Sequence, residues 1–201
     1  MARLAVKTGI AVFALVGALA VLGVGTAAAT KLCTVEGALK TCPAGKEVKV
    51  NAPLKLKQVA NAQFPIGIAL VECANSTLEG EITNAGGGGG VAVKGVLKNF
   101  SWLNCNCLVK PLKTPWNITF EGTGNRDGNM NWPVALEFDC DGVKCEYSDL
   151  QASPVKGGAP AVLEVGLEMT KIGGAKDCAD PGKWFADYNF TEPASMFVTE
   201  K

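Results

Sequence analysis

Eight cysteines, Cys33, Cys42, Cys73, Cys105, Cys107, Cys140, Cys145 and Cys178, are spread along the chain, and all lie beyond an apolar leader. An even number of cysteines downstream of an export signal reads as a set of bridges, because thiols oxidise outside the cytoplasm. Cross-links at these positions restrict the possible folds more than any residue propensity does. Zinc is the competing reading, since it favours cysteine pairs two to four residues apart. Only Cys140 and Cys145 come near that spacing, and export argues against reduced thiolates, so no metal and no other cofactor is expected.

The leader has the layout of a secretory signal. Arg3 and Lys7 precede a charge-free run from Gly9 to Gly25, which ends in Thr26-Ala27-Ala28-Ala29. Ala27 and Ala29 supply the small pair that a signal peptidase reads, so cleavage is expected between Ala29 and Thr30. This makes residues 1–29 a signal peptide and 30–201 a single domain. An uncleaved anchor is the alternative, but the Ala- and Gly-rich run is shorter than the ~20 apolar residues that usually cross a bilayer. Either way the domain is expected to be secreted or to lie in the cell envelope, touching a membrane only through the leader.

The remaining chain is long enough for one domain with its own core. Of the 19 basic residues, Arg3 and Lys7 belong to the leader, which leaves 17 against 19 acidic residues and a net charge near −2. Charges alternate in sign with no basic stripe, which argues against nucleic acid as a partner.

Two bridges are expected to be local, Cys33 with Cys42 and Cys140 with Cys145. Gly37 lies in a possible hairpin between the first two, and Asp141-Gly142 is a strong turn dipeptide between the second two. Cys105 and Cys107 face the same side of an extended segment and are expected to reach Cys73 and Cys178 in some order. A Cys105–Cys107 bridge would require a strained ring.

Period-two alternation recurs throughout. Leu54, Leu56 and Gln58 alternate with lysines; Leu78, Gly80 and Ile82 alternate with glutamates. The same pattern runs through Leu163, Val165, Leu167 and Met169, and through Trp184, Ala186, Tyr188 and Phe190. Further extended segments are expected at 66–73, 91–103, 107–112, 116–121, 134–138 and 196–199. The polar stretch 122–131 reads as a loop, and the five glycines from Gly86 to Gly90 as a hairpin loop rather than a phosphate cradle, since no Gly-Lys-Ser/Thr follows. Short strands, Pro and Gly punctuation and no helical stripe predict an all-β fold, an antiparallel sandwich or barrel with disulfides.

The segment Val71-Glu72-Cys73-Ala74-Asn75-Ser76-Thr77-Leu78-Glu79-Gly80 is followed by Cys105 and Cys107 ahead of Pro115-Trp116-Asn117. Then come Cys140-Asp141-Gly142-Val143-Lys144-Cys145-Glu146-Tyr147, Cys178 and Trp184. In these features the chain resembles a group of uncharacterised, exported, β-rich proteins found in related copies in actinobacteria. The resemblance implies a bacterial envelope setting and no activity.

Histidine is absent, which removes Ser-His-Asp and Cys-His hydrolases, imidazole bases and most catalytic zinc sites. Ser153-Pro154-Val155-Lys156 matches the Ser-x-x-Lys pattern of penicillin-binding enzymes, but Gly157-Gly158-Ala159-Pro160 would break the helix that pattern needs. Glu79 with Glu81, and Glu164 with Glu168, could pair as in glycosidases, yet their alternation with apolar residues suits a wet outer face. Asp139-Cys140-Asp141-Gly142 and Asn125-Arg126-Asp127-Gly128-Asn129 resemble pieces of calcium loops. Leu150 and Leu136 stand where the closing glutamate would be.

Trp102, Trp116, Trp132 and Trp184 could offer a sugar-stacking platform, with Phe100 and Trp102 on one strand face, but four tryptophans in a domain of this size can all be core, where aromatics bury the most apolar area. Asn75, Asn99, Asn117 and Asn189 begin sequons, which carry sugar only in a eukaryotic pathway. The expected role is that of a non-enzymatic secreted or envelope protein that serves structurally or binds an unknown partner. The alternative is a carbohydrate-binding module using exposed aromatics.

Overall fold

A computed structural model describes residues 30–37, 41–87 and 91–199. The leader, Ala29 of the expected cleavage site and residues 88–90 at the end of the glycine run lie outside the described residues. Eight strands form the staves of an antiparallel barrel: β2 (Pro53–Gln58), β4 (Leu70–Gly87), β5 (Val91–Cys105), β7 (Trp116–Gly124), β8 (Asp127–Cys140), β9 (Val143–Lys156), β10 (Val162–Gly174) and β11 (Gly182–Glu192). They are ordered β10-β9-β8-β7-β5-β4-β2-β11, and pairing of β10 with β11 closes the ring. Of the two all-β architectures expected, the chain takes the barrel.

Two short strands extend this frame. β3 (Ala62–Pro65) continues the stave of β2 between β4 and β11, and β6 (Leu108–Pro111) pairs with β8 alone. β1 (Lys31–Cys33) and β12 (Phe197–Thr199) form a separate two-stranded sheet. It packs close to the β7–β8 end of the barrel: a Cβ at Gly128 would stand 2.8 Å from the Val198 side chain, an approach that only glycine permits.

The alternating runs bury the face their pattern predicts. Leu54, Leu56, Leu78, Ile82, Leu163, Met169, Trp184, Tyr188 and Phe190 are all within 1% of full burial. An eight-stranded barrel leaves an interior just wide enough for side chains, and here aromatic rings fill it. Trp132 lies 5.8 Å from Trp116 and 5.3 Å from Trp184, and Phe64 joins Trp184 to Phe138 at 5.4 and 5.0 Å. Stacked, tilted and edge-on contacts of this kind add roughly 0.5–1.5 kcal/mol per pair beyond area burial.

Three expectations about the strands change. The stretch 122–131 is a hairpin joining β7 to β8, turned at Asn125 and Arg126 with φ of 55° and 69°, the two positive angles of a type I′ turn. The segment 66–73 is not one strand: it breaks at Gly67, φ 89°, between β3 and β4. β9 went unanticipated because Asp149 and Gln151 occupy its inward phase, between buried Tyr147 and Ser153, and hide the alternation.

The disulfides are Cys33–Cys42, Cys73–Cys105, Cys107–Cys140 and Cys145–Cys178, with no free cysteine. An oxidising compartment leaves thiols in this state. The first pair and the Cys105–Cys73 choice agree with expectation. Cys140–Cys145 and Cys107–Cys178 do not form, and register is the reason. The Asp141-Gly142 turn sets Cys140 opposite Val143 and Cys145 opposite Phe138. The two cysteines are therefore diagonal neighbours, about 7–8 Å apart in such a ladder, beyond the roughly 4.4–6.8 Å that a bridge spans. Leu108 pairs with Asp139, so Cys107 comes directly across from Cys140, with a Cα separation of 4.7 Å.

Tyr147 ties the same end together. Its hydroxyl donates to the Ala179 carbonyl at 3.0 Å, with the Ile66 carbonyl as second acceptor at 3.3 Å. These groups belong to the β10–β11 and β3–β4 connections. Burial, with the Asp180 charge adding to it, pushes the Tyr147 pKa from 10.0 up to about 12.

Two outcomes are expected. Non-reducing peptide mapping returns Cys107–Cys140 and Cys145–Cys178; a Cys140–Cys145 peptide would contradict the register. Because the folded pKa of Tyr147 is raised, its contribution to stability is complete below pH 10 and is lost as pH rises toward about 12. Urea midpoints should therefore fall more steeply over that window in the native protein than in Tyr147→Phe, and identical profiles would refute the clamp.

Candidate functional site

β5 pairs with β7 only from Val93 to Leu97. Beyond Leu97 its neighbour on that side is β6, and no backbone ladder joins the two. The result is a split in the barrel wall between the end of β5 and β6, with a cleft of about 420 Å³ at its narrow end. Trp102, Leu103 and Asn104 form one lip, Leu108 the other, and Asp139 and Asp141 one flank.

The apex of the split is the link Cys105-Asn106-Cys107. On one side it is fastened to β4 by Cys73–Cys105 and by Asn106, whose Oδ1 accepts from the Glu72 amide at 2.9 Å while Nδ2 donates to the Leu70 carbonyl at 2.9 Å. On the other side Cys107–Cys140 fastens it to β8. The separation of the lips is thus fixed by covalent and side-chain links.

Phe100 and Trp102 point inward behind the split. Their rings are parallel within 8° at 6.0 Å, and both are half-buried. The other three tryptophans are fully buried in the barrel interior, so Trp116, Trp132 and Trp184 offer no surface platform. Only the Phe100–Trp102 part of the expected aromatic strip reaches the surface. Next to it lies a buried hydroxyl cluster. Ser76 Oγ donates to Gln58 Oε1 at 2.5 Å and accepts from the Tyr188 hydroxyl at 2.7 Å. Burial pushes the Tyr188 pKa up, offset in part by this hydrogen bond.

The other sequence candidates occupy separate places. Glu79 and Glu81 lie on the outer face, where they pair with Lys55 at 2.8 Å and Lys98 at 2.6 Å. Hydrogen bonding to Glu79 raises the Lys55 pKa. A shallow cleft of about 300 Å³ runs between these pairs, at a point where a Cβ on Gly80 would overlap the Val96 carbonyl oxygen. Glu164 and Glu168 are exposed on β10, with Glu168 paired to Lys183 at 2.9 Å.

Ser153 and Lys156 do not face one another: Ser153 is buried and accepts from the Trp132 indole at 3.0 Å, while Lys156 is exposed. In each of the two loop motifs one carboxylate is occupied with backbone. Asp139 accepts from the Gly142 amide at 2.9 Å, and Asp127 from the Gly157 amide at 2.9 Å. Of the sequon asparagines, Asn75, Asn99 and Asn117 project outward and are exposed.

Comparison of the chain with known protein families, curated proteins and solved structures gives no match. The split was not visible in the sequence. Its only trace there is the Cys-x-Cys spacing, which sends two bridges in opposite directions from cysteines two positions apart.

The burial pattern predicts that acrylamide quenches only the Trp102 share of tryptophan emission. Trp102→Phe should abolish the accessible component; an accessible component that persists in that variant would contradict the buried positions of the other three.

Proposed function

We propose that this is a non-enzymatic extracytoplasmic protein, secreted or held in the cell envelope, that works by binding a partner at its surface. The observation that carries the reading is the filled interior. Barrels that act on or carry small molecules keep a chamber or a cleft lined by convergent polar groups. Here Trp116, Trp132 and Trp184 occupy that volume. Surface contact is left as the means of action, and a rigid disulfide-linked frame suits it, because little order has to be acquired on binding. The bridges and the resemblance to exported actinobacterial proteins support the envelope setting.

A carbohydrate-binding role is the second reading, supported by the half-buried parallel pair Phe100 and Trp102 next to Asn104.

The test is a binding screen of the purified protein against envelope polymers, glycans and peptide arrays, run beside a panel of hydrolase substrates. Saturable binding without turnover is expected. Turnover that Glu79→Gln or Glu81→Gln abolishes would overturn the reading, since it would place catalysis on the outer face.

A further inference from the structure

The split exposes two strand edges that differ in chemistry. Natural sheets blunt bare edges with proline, lysine or a covering segment. The β6 side is treated in this way: Lys110 and Pro111 end the strand, and Lys113 and Pro115 follow. The β5 side is not. After Lys98 it runs Asn99-Phe100-Ser101-Trp102-Leu103-Asn104, without a charge or a proline, and no backbone hydrogen bond joins it to β6 among the described residues.

Around the apex the exposed side chains are aliphatic. Leu103 is 58% exposed, Leu108 52%, Leu70 48% and Val143 40%. They are contiguous through the apex: the Leu70 carbonyl is held by Asn106, Leu108 follows Cys107, and Val143 lies opposite Cys140, the bridge partner of Cys107.

The charge is one-sided as well. Asp139 and Asp141 line the cleft, and neither forms an ion pair among the described residues. The nearby cations Lys110 and Lys144 are both drawn to Glu137, at 3.6 and 3.4 Å.

We infer that the β5 edge of the split is a binding site for an extended peptide segment of a partner protein, one that alternates aliphatic residues with lysine or arginine. The segment adds as a strand along Lys98–Asn104, where main-chain hydrogen bonds supply affinity and alternate side chains supply specificity. Its inward-facing aliphatic side chains cover the exposed part of Trp102, and its outward-facing lysines lay their alkyl stems over Leu103 and Leu108 and their charges against Asp139 and Asp141, since Leu108 and Asp139 share the outer face. The carboxylates and aliphatic lips disfavour an anionic membrane surface. They also fit a peptide better than a sugar ring, which needs an open aromatic face, whereas Phe100 and Trp102 are half-buried and point inward. The inference rests on the binding role proposed above and names the partner's chemistry.

The test is amide-resolved NMR titration of the intact protein with three probes: an alternating Leu-Lys hexapeptide, its Leu-Glu counterpart and a chito-oligosaccharide. The Leu-Lys peptide should shift the amides of 98–104 and 108–109. Asp139→Asn with Asp141→Asn, which keeps an acceptor for the Gly142 amide, should weaken it on the order of tenfold. Leu103→Lys with Leu108→Lys, at exposed positions that leave the core intact, should weaken it to a similar degree. Leu150→Lys, on β9 at 75% exposure, should change nothing. Equal affinity for the Leu-Glu peptide, shifts confined to another face, or binding of the oligosaccharide alone would overturn the site. None of these outcomes would touch the wider binding role, which only turnover would sink.

Discussion

Around most of the barrel each stave is fastened to its neighbours by backbone ladders, but between the ends of β5 and β6 the fastening is covalent. Three bridges, Cys73–Cys105, Cys107–Cys140 and Cys145–Cys178, run in series from β4 through the apex to β8 and β9 and on to the β10–β11 connection. The last of these joins the β9 stave to the same connection that Tyr147 holds through Ala179. A loop of 32 or 33 residues closed by a bridge stabilises by about 4 kcal/mol in the chain-entropy model, by restricting the unfolded chain. That contribution offsets the ladder bonds missing at the split. The opening can persist because its two lips are anchored independently.

The opposite end of the barrel is closed by non-covalent means. There β1 and β12 pair, the Val198 amide donates to the Arg126 carbonyl at 2.9 Å, and Thr30 accepts from the Gly122 amide at 3.1 Å. Leu32, Val198 and Met196 are buried beneath this cap. With rings filling the middle and a sheet sealing one end, the disulfide-bound end is where aliphatic side chains and unpaired backbone edge meet solvent. Position in the fold, rather than any catalytic grouping, therefore singles out the split.

What could be read from the sequence follows from where the pattern carries information. Strands with one apolar and one polar face, such as β10 and β11, were legible because a one-residue slip would turn Leu167 or Trp184 outward. The role of the tryptophans was ambiguous because Trp132 behind a polar hairpin looks the same as a loop-borne platform. Its burial is decided by Met130 and Gly128 continuing the inward phase through that hairpin. The cysteine partners were only half legible. Asp141-Gly142 was correctly identified as a turn, but a turn fixes which residues are opposite, and Cys140 and Cys145 stand at unequal distances from it. The split itself is a failure of pairing between distant residues, which leaves almost no local signal.

The bridge pattern has one further property. The cysteines pair in order along the chain, first with second and so on, 33 to 42, 73 to 105, 107 to 140 and 145 to 178, so no loop encloses or crosses another. A chain oxidised in order of emergence, amino terminus first, meets each correct partner before any later cysteine competes. The one hazard in that order is Cys105 with Cys107, two residues apart, and a bridge between them would close a strained ring. The same two residues then carry bridges to opposite sides of the split. The spacing that keeps oxidation unambiguous is therefore also what holds the bare edge of β5 open.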